Sequence, residues 1–227
     1  MLNDFQSKTL CLIPARKSSK RIKKKNKKLI NGKPLIFWTI NFAKKFFKQE
    51  NIYVSSDDKD ILNISKKNKI NFIKRPKKYS LSKSKSIDVA KHCLDKIRNK
   101  IEKIDNIILL QPTSPFRKYS TLKRLITTFI KKDLNSIITV SRDIKEKKNL
   151  FYMDNNFRLS KKKSKIKLRI NGNLYLTKIS YLKKYSKFYE NNSKVILTKD
   201  KLESLDIDVY DDWKFLNKNK KSLDKFK

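Results

Sequence analysis

LCLIPARKSSKRIKKKN, residues 10–26, joins an apolar run to a loop of Arg and Lys that no core could hold. Leu10 to Pro14 reads as a buried strand of a parallel sheet, because such strands are covered on both faces and run continuously apolar. Ligands of open α/β folds bind outside the carboxyl ends of these strands. Arg16, Lys20 and Lys25 then stand at the mouth of the sheet, where an anionic group such as phosphate would be held.

The pattern continues along the chain. Pro34 to Lys48 has apolar residues at helical spacing, with Gly32 in a turn before it and Pro34 in the first turn. Asn51 to Ser56 reads as a second strand, and Asp57 and Asp58 can start a helix through Lys67 by capping and dipole interaction. Ile70 to Ile73 is a third strand ending at Arg75-Pro76. Ser84 to Arg98 reads as a helix, Asn106 to Leu110 as a strand, Ser120 to Lys132 as a helix and Ser136 to Ser141 as a strand. Strands alternating with helices predict a mainly parallel sheet covered on both faces. Asn149 to Leu159 predicts a hairpin around Asp154-Asn155-Asn156, and Lys161 to Lys167 a linker or arm. Leu174 to Thr177 and Val195 to Thr198 are strand-like, and Val209 to Asn217 is a closing helix. No internal repeat is visible. A chain of 227 residues can bury a full core, and residues 1–227 are read as one domain with a small excursion at 149–168.

Composition narrows the chemistry. Lys and Arg number 59 against 21 Asp and Glu, a net charge of +38, which in most proteins points to nucleic acid or an anionic membrane surface. The Lys residues are instead scattered through every predicted helix and loop beside many Asn and Ile, a pattern of drift toward A/T-rich codons, and no specific nucleic-acid partner is expected. Cys11 and Cys93 are the only cysteines and lie in different predicted elements, so neither a disulfide framework nor a zinc signature is present. That usage fits a reducing cytoplasm. No apolar run reaches the ~20 residues of a membrane span, and Met1 to Thr9 is too polar for a signal peptide. His92 is the only histidine, which excludes a Ser-His-Asp triad built on any other position; as helix neighbours, His92 and Cys93 do not face each other. Gly32 and Gly172 are the only glycines, so no Gly-rich phosphate motif can be written and side chains must hold much of any bound phosphate.

Three further stretches sharpen this: NIILLQPTSPFR at 106–117, RINGNLYL at 169–176 and SLDIDVYDDW at 204–213. Taken in order with IPARKSSKRIKKKN, INGKPLIFWTI, VSSDDKDI and the Arg75-Pro76 pair, they resemble the acylneuraminate cytidylyltransferase family over about Leu10 to Trp213, with LLQPTSPFR the most specific element. The resemblance implies the three-layer, Rossmann-like fold of nucleotide-diphosphosugar transferases. It also implies attack of a nine-carbon acid sugar's anomeric hydroxyl on the α-phosphorus of CTP, giving a CMP-sugar and pyrophosphate. By motif, Arg16, Lys20 and Lys25 match the phosphate loop, with Arg16 and Lys25 at the reacting phosphates, and Asn26 matches a nucleotide-contacting Asn. Arg75 and Ser86 match cytidine-binding positions, while Gln111, Asn171 and Tyr175 match the sugar site. A homodimer is implied, paired through the 149–168 excursion.

Asp206 and Asp208, at i and i+2, would share one face of a strand and could present two carboxylates to Mg²⁺ (or Mn²⁺). The competing structural role is helix capping, since Asp211 and Asp212 follow at once. Asp208 is the carboxylate expected to matter most in the chemistry. Against the family pattern, Lys17 and Ser18 replace a Gly-Gly pair, Lys23 replaces a Pro, Lys83 stands where an acidic residue is common, and KKKSKIK replaces an Arg-Gln arm. Two other readings follow from these features: a cytidylyltransferase for legionaminic, pseudaminic or Kdo-type sugars, and, from a different class, a basic nucleic-acid-binding protein.

Overall fold

The computed structural model describes residues 2–101, 103–142, 151–154, 156–160 and 167–226. In chain order the elements are α1 (Leu2–Ser7), β1 (Thr9–Pro14), β2 (Leu29–Ile30), β3 (Lys33–Pro34), α2 (Leu35–Phe46), β4 (Ile52–Ser56), α3 (Lys59–Lys67), β5 (Asn71–Lys74), α4 (Ser86–Lys96) and α5 (Arg98–Ile101). They continue with β6 (Asn106–Leu109), α6 (Tyr119–Lys131), β7 (Ser136–Ser141), β8 (Phe151–Met153), β9 (Leu159–Ser160), β10 (Lys167–Lys178), α7 (Ile179–Tyr185), β11 (Lys194–Thr198) and α8 (Tyr210–Lys218).

The main sheet has the order β11-β7-β10-β6-β1-β4-β5. β1, β4, β5 and β6 are mutually parallel, as are β7 and β11, whereas β10 runs antiparallel to both of its neighbours, β6 and β7. Strict alternation sorts the side chains. Cys11, Ile13, Ile52, Val54 and Ile108 point to one face and pack against Ile36, Ile40 and Ala43 of α2, Ile61 of α3, and Leu122, Leu125 and Phe129 of α6. Leu10, Leu12, Tyr53, Ile107 and Leu109 point to the other face, against Ala90, Cys93 and Leu94 of α4 and Leu182 of α7. Two apolar faces on one sheet explain why these strands read as unbroken hydrophobic runs. The result is the three-layer, mostly parallel Rossmann-like arrangement. Among the described residues no helix is long and apolar enough to cross a membrane.

Several expected elements take a different form. Leu174 to Thr177 is the end of the longer β10, whose register shifts between Ile170 and Tyr175. Asn171-Gly172-Asn173 forms that bulge, with Gly172 at φ 70°. The hairpin expected over 149–159 is present as β8 paired with β9 and packed on the start of β10. The arm expected at Lys161 to Lys167 lies outside the described residues except for Lys167, which begins β10. Asp206 to Asp208 are not in a strand. They sit in an extended loop whose intervening Ile207 is fully buried beside Trp38, Phe116 and Trp213, so the two carboxylates still emerge on the same side. α1 and α7 are short helices with no expected counterpart.

Gly32 completes a two-residue turn between β2 and β3 in which both Asn31 and Gly32 have positive φ, the signature of a tight hairpin. Gly172 is constrained twice. Its φ disfavours any side chain, and a Cβ there would lie 2.7 Å from Gln111 Oε1 and 2.9 Å from Ser114 Oγ. Replacing Gly172 by Ala should destabilise the fold by about 1–3 kcal/mol, measured by chemical denaturation, whereas Gly32→Ala meets nothing within 4 Å and should cost only the backbone strain.

Candidate functional site

The carboxyl ends of β1, β5 and β6 open onto a cavity of about 280 Å³. Arg16, Lys25, Asn26, Arg75, Ser86, Gln111, Asp206 and Asp208 all line it. Lys20 lies in an adjoining basic cavity of about 440 Å³, which shares Arg16, Lys25 and Asp208 with the first. Tyr175 lies in a third cavity of about 700 Å³, which shares Ser86 and Gln111. Residues far apart in sequence are thus gathered at one end of the sheet.

The loop after β1 is shaped by side chains. Asn26 Nδ2 donates to the Arg16 carbonyl at 3.0 Å, and Arg16 Nη1 donates to the Leu81 carbonyl at 3.0 Å. The Lys17 amide is capped by Asp57 Oδ1 at 2.7 Å. Ile22 is buried in the cluster of Trp38, Ile207 and Trp213, anchoring the middle of the loop. Where glycines would let backbone approach an anion, this loop is held by such tethers and offers ammonium and guanidinium groups instead.

Lys25 is buried to 8% exposure, and its Nζ donates to the Ile207 carbonyl at 2.6 Å and to Asp208 Oδ1 at 3.1 Å. Arg21 Nη2 faces the other Asp208 oxygen at 3.2 Å. Arg75 is held against β4, with Nε donating to Ser55 Oγ at 3.1 Å. Burial lowers its pKa to about 10, partly offset by Asp57, so the guanidinium stays charged at neutral pH.

The acidic loop divides its labour. Asp212 Oδ2 accepts from the amides of Asp208 and Val209 at 2.8 and 3.0 Å. It therefore fills the capping role, which leaves Asp206 and Asp208 free of it. Asp206 Oδ1 is buried without a hydrogen-bond partner. Burial, then the neighbouring Asp208 charge, pushes the Asp206 carboxyl up, against a hydrogen bond from Thr113. The Ile207 amide donates to the Thr113 carbonyl at 2.7 Å, joining this loop to the turn after β6.

This pair suits a hard divalent cation. Among the described residues no cluster of three or more His, Cys, Asp or Glu is placed to hold a metal, so a cation here would complete its shell with phosphate oxygens and water, as Mg²⁺ commonly does. The orphaned Asp206 oxygen is the feature that fits such an ion.

The expectation for Asn171 is corrected by burial. Asn171 is fully buried; its Oδ1 accepts from Thr139 Oγ1 at 2.9 Å and its Nδ2 donates to Thr198 Oγ1 at 2.7 Å. It shapes the β10 bulge and has no polar atom left for a sugar. Arg117, the Arg of the turn after β6, likewise faces inward: Nε donates to Asn173 O, Nη2 to Gln111 O and Nη1 to Thr39 Oγ1. Tyr175 does present its ring to the third cavity, beside Phe188 and Tyr189 at 6.2 and 6.1 Å between centroids. Missing from the sequence reading were Tyr79, Thr113 and Arg21. Thr113 lies within the LLQPTSPFR motif and could have been singled out there, whereas Tyr79 has no distinguishing pattern and Arg21 is one cation among many in its loop.

The chain is similar to known proteins over most of its length. Residues 10–220 match the family described as Cytidylyltransferase. A CMP-N,N'-diacetyllegionaminic acid synthase of Legionella pneumophila is 30% identical over 232 residues, covering 92% of this chain and 94% of the relative. An N-acylneuraminate cytidylyltransferase of Escherichia coli is 26% identical over 215 residues, 90% of this chain but 50% of the relative, so the chain spans half of that protein's length. A solved CMP:2-keto-3-deoxy-manno-octonic acid synthetase complexed with CTP superposes with a TM-score of 0.72 over 96% of this chain and 99% of the other, at 16% identity, and shares the fold. The chain belongs to the cytidylyltransferase family.

Proposed function

We propose that this protein transfers CMP from CTP to an acidic nine-carbon sugar of the neuraminate type, releasing pyrophosphate. The observation that carries the reading is the continuity of the cavities: a cation-rich end around Arg16, Lys20 and Lys25 and the Asp206–Asp208 pair adjoin an aromatic-walled cavity through Ser86 and Gln111. A triphosphate would lie at the cationic end, its nucleoside toward Arg75 and Ser86, with the sugar against Gln111 and Tyr175. Legionaminic acid is the specific second reading, favoured by the relative named for it, which this chain matches over 94% of that relative's length.

Each residue then has a physical task. Arg16, Lys20 and Lys25 neutralise the polyphosphate, whose charge would otherwise repel the sugar carboxylate. Asn26 and Asp57 keep the loop open in the shape that presents those cations. Asp206 and Asp208 would hold Mg²⁺ (or Mn²⁺), which when bound supplies Lewis-acid polarisation of the phosphoryl group. The attacking hydroxyl's proton would pass to water or to one of these carboxylates, and Asp206 Oδ1, buried without a hydrogen-bond partner, is the oxygen left for the cation. Asp208 is paired with Lys25 and Arg21. A homodimer and an activity in the cytoplasm complete the proposal.

Pyrophosphate release should require CTP over ATP, GTP and UTP, a divalent cation, and one of N-acetylneuraminic, legionaminic, pseudaminic or Kdo acids; release with none of these sugars and no CTP binding would overturn the reading. Asp206→Asn should lower turnover by roughly 10²–10³-fold while raising the melting temperature. The sign follows from the raised carboxyl pKa: the folded state favours the protonated acid, so this group's stabilisation is present below the unfolded carboxylate range near ~4 and is lost as pH rises through the folded pKa. The variant's stability advantage should therefore grow as pH is raised from acid to neutral in thermal melts, and a constant difference would show that Asp206 is not held in this way.

A further inference from the structure

Arg21 lines the cleft, yet the proposed reaction gives it no task. Its Nη2 lies 3.2 Å from Asp208 Oδ2, while Lys25 Nζ lies 3.1 Å from Oδ1, so both oxygens of the second carboxylate already face a protein cation. The two pairs differ in kind. The Lys25 side chain is 10% exposed and is also fixed by the Ile207 carbonyl. The Arg21 side chain is 55% exposed, and exposed ion pairs of this sort are weak and easily exchanged. Arg21 also lines the basic cavity with Arg16, Lys20 and Lys25, so a polyphosphate entering that cavity meets it.

We propose that Arg21 is a positioning residue that guards the Asp208 carboxylate, occupying in the free protein the oxygen a divalent cation would use and moving to phosphate when a nucleotide enters. The inference rests on the nucleotide and metal reading of this cleft. Its physical basis is competition. A dication approaching the free site finds one unpartnered carboxylate oxygen, the buried Oδ1 of Asp206, and is repelled by the Lys25 and Arg21 charges. A triphosphate reverses both conditions, because phosphate oxygens accept the guanidinium bidentately, releasing Asp208, and their negative charge offsets the surrounding cations. Metal and nucleotide each raise the other's affinity by the same factor, and the cation enters with the nucleotide instead of before it.

The test is titration of the full chain with Mn²⁺, followed by the electron paramagnetic resonance signal of the free ion, with and without CTP and with no sugar present. Arg21→Gln should bind Mn²⁺ about three- to tenfold more tightly than wild type in the absence of CTP. The further gain in Mn²⁺ affinity on adding CTP should shrink correspondingly. Arg21→Lys, which keeps the charge, should stay closer to wild type, and Lys23→Gln, which removes one charge from the same loop away from Asp208, should stay within about twofold of wild type. Unchanged Mn²⁺ affinity in Arg21→Gln, or an equal rise in Lys23→Gln, would overturn the guarding role while leaving the enzyme reading intact. Failure of the wild-type protein to bind CTP with Mn²⁺ at all would instead overturn the proposed function, and this inference with it.

Discussion

The buried guanidinium of Arg117 is the joint on which the cleft is assembled. It donates to the carbonyl of Gln111 where β6 ends, to the carbonyl of Asn173 in the β10 bulge, and to Thr39 on α2. Burial draws its pKa down to about 9, and such a charge persists inside a protein only when its hydrogen bonds are filled. Here they are filled by three separate elements. Through Gln111 and the bulge, the same joint fixes the wall between the nucleotide-sized cavity and the aromatic one. Losing it would strand carbonyls on both sides of that wall.

The electrostatics of the site are those of scarcity. With 21 acidic residues against 59 basic ones, each carboxylate near the cleft has a defined position. Asp57 holds the Lys17 amide, Asp58 caps α3 while pairing with Lys27, and Asp212 holds the two amides ahead of α8. Asp58 Oδ2 is buried with only its ion pair to Lys27, whereas Asp206 keeps a buried oxygen with neither a hydrogen bond nor an ion pair among the described residues. A carboxylate left in that condition is a cost to folding, and the cost makes sense where a cation or a proton is to be received.

Much of the sheet was legible because β1 and β6 are nearly unbroken apolar runs and β4 and β7 are short and rich in Ile and Val, as strands covered on both faces are. β10 was legible only at its end. Arg169 and Asn171 interrupt its hydrophobic pattern, and Gly172 reads as a turn, whereas the chain uses that glycine to let Gln111 and Ser114 approach a bulge. α1 and α7 span six and seven residues, too short for a periodic signal. Among the site residues, the motif positions converged on the cleft, but motif matching assigned Asn171 to a ligand when its amide is occupied by Thr139 and Thr198. Arg21 stayed hidden for a different reason: in a loop where nearly every residue is cationic, charge ceases to distinguish one position from another, and only the distance to Asp208 does.

The antiparallel placement of β10 bears on how such a cleft can diversify. Tyr175 lies on a strand hydrogen-bonded on both sides, to β6 and to β7, so its backbone cannot shift without breaking two ladders. The opposite wall of the aromatic cavity, residues 186–192, is a loop between α7 and β11 that carries no ladder at all. One wall is rigid and continuous with the turn after β6; the other can be exchanged residue by residue. On the proposed reading, new acceptors can therefore be accommodated by rewriting that loop alone, while the half of the cleft built on β1 and β6 is inherited unchanged.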